Sequence, residues 1–236
     1  MSIHNKIKEA RHVWAFGCSF TSYSWKTWAD IIRDKYGKLS NCGKIGAGNQ
    51  FIFHRIMEEY TNGQIHKDDL IMICWSGHYR KDNKFKSKWY TPGNILNQDY
   101  WPKDFAEDYC DPEFFLERDL YFAFVINEIF KDRVINFSMA DIQIVDQCTS
   151  DTLGYGIAFG NDMIMGSVGA GLSVDPSKNR IQKTIENAKI SEMLDKFYPS
   201  FYRVLWDNNV ENIKHRKDKH PTEDEHRLYL KKVFDI

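Results

Sequence analysis

The chain has no excess of charge of either sign. Its 236 residues hold 32 Lys and Arg against 33 Asp and Glu, a formal net charge of -1. Such a balance supplies no global field to draw in nucleic acid or an anionic membrane, and neither is expected as a partner. Paired cysteines are lacking too. Cys18, Cys42, Cys74, Cys110 and Cys148 are scattered, odd in number and never at metal-ligand spacing, which argues against a disulfide framework and a zinc knuckle. No metal or other cofactor is expected, and a reducing cytoplasm suits free thiols. No run approaches the roughly 20 apolar residues of a membrane span. The opening "MSIHNKIKEARHVWAF" has no apolar stretch of signal-peptide length before the first strand, so a soluble, cytoplasmic protein is expected. Internal repeats and low-complexity tracts are also missing.

What is present is a regular alternation of strand and helix patterns, in a composition that is 42% hydrophobic and 28% charged. One core of this size fits a single domain spanning residues 1–236. "HVWAFGCSF", "LIMICWSG" (Leu70 to Gly77) and "RVINFSM" (Arg133 to Met139) are continuous apolar runs of strand length, as in strands covered on both faces. "KLSNCG" is a shorter candidate. Between them, Ser24 to Tyr36, Asn49 to Tyr60 and Pro112 to Phe130 carry apolar residues at helical spacing. A last helical pattern, "TEDEHRLYLKKVF", has acidic residues in its first turn. Strand alternating with helix predicts an α/β fold, a three-layer α/β/α sandwich around a parallel sheet. Two stretches, 81–111 and 149–179, fit neither pattern and are expected as long inserted loops.

In "VWAFGCSFTSYSWKTW" an apolar run ends at Gly17 and Ser19 follows, just before a helix. The carboxyl end of a buried strand is where ligands gather in an open parallel sheet, so Ser19 is a candidate nucleophile. Taken by itself, Ser19 suits a helix N-cap better. Cys18 reads as a small buried residue under the turn, since alternation points it away from Ser19. Other short polar blocks end the second and third strands, "NCGKIGAGN" and "WSGHYR", and "KDKHPTEDEH" stands near the C-terminus. "GYGIAFG" and "GSVGAG" lack the Gly-Lys-Ser/Thr ending of a phosphate-binding loop and are set aside.

In this order the blocks resemble the SGNH (GDSL-type) hydrolase superfamily of serine esterases and acyl-transfer enzymes. "GCSFT" resembles its first block, with Ser19 in the nucleophile's place. "NCGKIGAGN" resembles the second, whose last glycine, here Gly46, gives its backbone N–H to the oxyanion hole. "DKHP" resembles the last, with Asp218 and His220 as acid and base. The resemblance implies a flavodoxin-like sheet and a Ser19, His220, Asp218 triad in which the imidazole takes the serine proton and the carboxylate holds the ring. Ser19 and Gly46 would supply oxyanion N–H groups.

The chain departs from the family pattern at Cys18, which replaces the usual Asp, and in "WSGHYR", which has no Asn. Asn49, Ser76 or His78 is left as the further oxyanion donor. Arg80, Trp89 and Tyr90 are candidate substrate contacts, Arg80 for a carboxylate or phosphate and the aromatics for a sugar face. His226 reads as a packed or solvated helix residue. A serine esterase or deacetylase acting on an O-acyl ester of a small or carbohydrate-like molecule is the leading expectation. An acyltransferase of the same fold, and a non-catalytic binding or assembly module, stay open beside it.

Overall fold

Three strands form where the apolar runs stand: β1 Val13–Gly17, β3 Leu70–Trp75 and β6 Val134–Ser138. All six residues of β3 are buried, as a strand covered on both faces requires. The structure is a computed structural model that describes residues 2–95, 97–109, 111–140, 184, 186–208, 210 and 220–236. Among the described residues the short β2, Leu39–Asn41, completes a four-stranded parallel sheet of order β2-β1-β3-β6. That order is the first part of the flavodoxin-like arrangement.

Helices cover both faces. On one face Phe137 of β6 meets Trp28 of α2 (Trp28–Tyr36), Phe201 of α7 (Phe201–Asp207) and Tyr229 of α8 (Glu223–Tyr229). On the other, Asn136 accepts a hydrogen bond from Trp75 Nε1 and donates one to Asn127 of α5 (Pro112–Phe130), which packs beside α3 (Asn49–Thr61). Adjacent residues of β6 therefore serve opposite layers, as the period of two demands. One core runs from Ile3 to Phe234.

The helix ends follow local chemistry. Helix α2 begins at Trp28 and not at Ser24, because Thr27 caps it: the Thr27 N–H donates to Asp30 Oδ2 at 3.1 Å. In α8 the Thr222 N–H donates to Glu225 Oε2 at 2.8 Å, the reciprocal box of a helix start, and the helix runs on into a π-helical turn, Leu230–Phe234.

The stretch 81–111, expected as a long inserted loop, carries regular elements of its own. Strands β4 (Asn83–Phe85) and β5 (Lys88–Tyr90) pair as an antiparallel hairpin, and α4 (Lys103–Tyr109) follows. Ile95, Trp101 and Phe115 build a small second core there. Three further helices carry no strong periodic signal in the sequence: α1 (Ile3–Glu9), α6 (Ala188–Leu194) and α7. The stretch 149–179, with its two glycine-rich segments, lies outside the described residues. Among the described residues no helix is long and apolar enough to cross a membrane.

Candidate active site

The sheet order reverses between β1 and β3, and a crevice opens at the carboxyl ends of strands flanking such a point. Ser19 lies there. The Cys18 carbonyl accepts the N–H groups of Thr21 and Ser22 at 2.9 and 3.1 Å, a single helical turn directly after β1. This turn holds Ser19 near its amino end and buries the Cys18 side chain completely. Gly17 is required beneath it, because a Cβ there would overlap Thr21 Oγ1.

His220 reaches the same place from the other end of the chain. Its Nε2 lies 2.7 Å from Ser19 Oγ, the separation at which a hydroxyl can donate to a neutral imidazole. The ring lies flat against Tyr23, with centroids 4.0 Å apart and planes 18° apart, and its flank meets Phe20. Trp25 Nε1 donates to the Pro221 carbonyl at 2.8 Å. The segment after β1 thus holds both the serine and the loop that bears the histidine. Asp218 lies outside the described residues.

Gly46 stands on the loop that continues beyond β2. Cys42 and Lys44 donate backbone N–H groups to the carbonyls of Ala15 and Gly17, so the loop climbs alongside β1 toward Ser19. Gly46 has φ +74°, and a Cβ there would overlap the Thr91 carbonyl oxygen. Glycine is needed on both counts.

The three further donors that the sequence leaves open separate clearly. Asn49 is corrected: its Nδ2 donates to the Ser76 carbonyl at 2.9 Å and to Asp119 Oδ2 at 2.6 Å, and its Oδ1 accepts the Ser76 N–H at 2.7 Å. Both amide hydrogens are committed to the scaffold, which leaves none for an oxyanion. Ser76 is buried just past β3, its hydroxyl 3.9 Å from Met139 Sδ. His78 is half-buried near the Arg118 guanidinium, and burial, then that charge, lowers its pKa to about 4; the ring is neutral near pH 7.

Arg80 donates to the Ala47 carbonyl at 3.1 Å and so braces the Gly46 loop. Trp89 and Tyr90 part company, as neighbours on a strand must. Trp89 packs edge-on against Phe51 of α3 at 5.6 Å, whereas Tyr90 is 51% exposed. His226 is buried in the core edge-on to Phe201, and burial lowers its pKa to about 3.

Sequence reasoning missed Asp82 and Asp119. Asp82 accepts the N–H groups of Gly48 and Phe51, each at 2.8 Å, and so caps α3 from the inserted segment. Asp119 sits between Asn49 and Arg118, whose guanidinium it meets at 2.7 Å, and burial pushes its pKa up to about 7. Neither carboxylate has a local signal, since each partner on α3 lies more than 30 positions away in the chain. Tyr23, by contrast, stands in the quoted stretch after β1 and is visible as an aromatic, though not as a partner for His220. Among the described residues no cluster of three or more His, Cys, Asp or Glu is arranged to hold a metal.

No protein-family model and no curated protein matches this chain. A solved structure similar to it is that of a member of the lipolytic protein G-D-S-L family from Veillonella parvula DSM 2008, 14% identical, with 92% of each chain covered and a TM-score of 0.47.

Proposed function

We propose that the chain is a serine hydrolase of the SGNH type that cleaves a short O-acyl ester, on a carbohydrate-like molecule. The observation that carries this reading is the 2.7 Å contact between Ser19 Oγ and His220 Nε2 at the carboxyl end of a central strand. A serine hydroxyl is a weak nucleophile until a base accepts its proton. In the proposed reaction Ser19 attacks the acyl carbon while His220 takes the hydroxyl proton. The tetrahedral oxyanion is held by the N–H groups of Ser19 and Gly46, with Ser76 or His78 as the third donor. His220 then protonates the departing alcohol. Water, deprotonated by the same ring, releases the acid and restores the serine. Asp218, two positions before His220, is assigned the orienting carboxylate on the resemblance of "DKHP". Loss of one oxyanion donor costs on the order of 3 kcal/mol of barrier, so the fate of the third donor sets the rate.

A second reading is favoured by Asn49, whose amide is spent on Ser76 and Asp119: a binding module that keeps the fold with an incomplete oxyanion hole. Fluorophosphonate labelling read by intact mass separates the two. One adduct on the parent chain, absent from Ser19→Ala, supports the hydrolase. An unlabelled parent that also fails to turn over p-nitrophenyl acetate removes the hydrolase reading and leaves the binding module.

A further inference from the structure

The hairpin formed by β4 and β5 is the most exposed regular element beside the site. Residues 81–90, "KDNKFKSKWY", hold four lysines and one aspartate. That aspartate, Asp82, is buried against the amino end of α3, which leaves the positive charge of the hairpin uncompensated by its own sequence. Pairing sorts the side chains. Asn83 stands opposite Tyr90 and Phe85 opposite Lys88, all on one face, while Lys84 and Trp89 share the other. The Trp89 face packs on Phe51 of α3. The opposite face looks outward, with Phe85 70% and Tyr90 51% exposed. Two rings on one diagonal and Asn83 with Lys88 on the other put apolar and polar groups side by side on that face.

The turn is costly. Lys86 and Ser87 have φ of 46° and 63°, the left-handed pair of a two-residue hairpin turn, which Asn-Gly fills with least strain. Side chains with a Cβ are rarely stable there. Lys86 therefore stands at the apex in a conformation that glycine or asparagine adopts more readily.

The hairpin is also joined to the Gly46 loop. Lys44 Nζ donates to the Trp89 carbonyl at 2.8 Å, Thr91 Oγ1 donates to the Ile45 carbonyl at 3.0 Å, and the Thr91 carbonyl lies against Gly46. A ligand seated on the outward face is thus anchored to the loop that borders Ser19.

Lys86 Nζ stands over one face of the Phe85 ring, 5.3 Å from its centroid. We propose that the hairpin is a docking arm for an acidic carbohydrate, with Tyr90 and the other face of Phe85 receiving sugar faces and Lys86 and Lys88 its carboxylate or sulfate groups. Calling that ligand the substrate rests on the hydrolase reading above. An anionic membrane is disfavoured by the apex, where an inserting hairpin would carry its apolar residues and this one carries Lys86. Nucleic acid is disfavoured by the confinement of the charge to one short hairpin in a chain of net charge -1.

The test is a calorimetric titration of the full-length Ser19→Ala chain, in which turnover plays no part. The probes are trigalacturonate for carboxylates, a heparin-derived tetrasaccharide for sulfates, and neutral maltotriose. At least one acidic probe should bind about tenfold more tightly than maltotriose, and more weakly as salt rises. Lys88→Glu should cut that affinity about tenfold. Lys67→Glu, an equal change of charge at the amino end of β3, should leave it unaltered, with the thermal midpoint confirming that each variant folds. The proposal is overturned if maltotriose binds as tightly, if the two lysine variants behave alike, if no acidic probe binds, or if the parent prefers phosphatidylglycerol vesicles or single-stranded DNA. Fluorophosphonate labelling of the parent is read separately. A labelled serine without acidic binding overturns the arm alone, and binding without labelling overturns the hydrolase alone.

Discussion

His220 Nε2 lies 2.7 Å from Ser19 Oγ although 201 positions separate the two residues in the chain. A contact of this kind has a kinetic consequence if the imidazole serves as base. His220→Gln should lower kcat on a p-nitrophenyl ester by a factor of about 1,000 or more, with KM changed far less. It should also abolish the fluorophosphonate adduct. A variant that keeps both rate and adduct would remove His220 from the reaction.

Tyr23 stacks on the His220 ring at 4.0 Å. Removing it frees the imidazole to turn, and small misplacements of a catalytic group are expensive. Tyr23→Ala should reduce kcat by about tenfold, whereas Tyr23→Phe, which keeps the stacking face, should stay close to the parent. Equal losses in both variants would point to the hydroxyl instead of the ring face.

Gly46→Ala places a methyl group where the Thr91 carbonyl already stands, at φ +74°. The loop must shift, and the backbone strain alone costs of order 1 kcal/mol or more. Thermal unfolding should record the loss of stability. The fall in kcat/KM should exceed that of Gly63→Ala, which has a similar φ, open space around it and a place just beyond the carboxyl end of α3.

Two buried groups should tilt the stability profile in opposite directions. His226 takes a proton at about 3 in the folded chain against 6.5 unfolded, so its contribution is present above pH 6.5 and lost as pH falls toward 3. Asp119 keeps its proton up to about 7 against 3.8 unfolded, so its contribution is present below pH 4 and lost as pH rises through 7. Each contributes a slope of up to about 1.4 kcal/mol per pH unit within its window. Denaturant melts at pH 5 and pH 7 should therefore show a smaller rise with pH in His226→Leu and a larger one in Asp119→Asn than in the parent. Shifts of the same sign in both variants would contradict the assignment.

How much of this was legible in the chain depends on the distance between interacting residues. Strands β1, β3 and β6 and helix α5 were readable because an apolar run or a helical period is written within a few neighbouring residues. The hairpin was not. Its strands have three residues each, both largely exposed, and its Lys86-Ser87 turn lacks the Asn-Gly signal. Asn49 shows the same limit at the site. As a residue type it suits an oxyanion donor, but Ser76 and Asp119, 27 and 70 positions later, take up its amide.

The order of apolar runs and helical patterns by itself pointed to a parallel sheet between helices, with Ser19 at the carboxyl end of a buried strand. Burial of continuous apolar strands permits little else. Which polar groups face one another was decided by tertiary structure alone. The segment after β1 brings His220 to Ser19, Asp119 of α5 takes up Asn49, and pairing within the hairpin turns Tyr90 outward while Trp89 packs on α3. Those partnerships depend on where segments dozens of residues apart come to rest, and no local pattern records that.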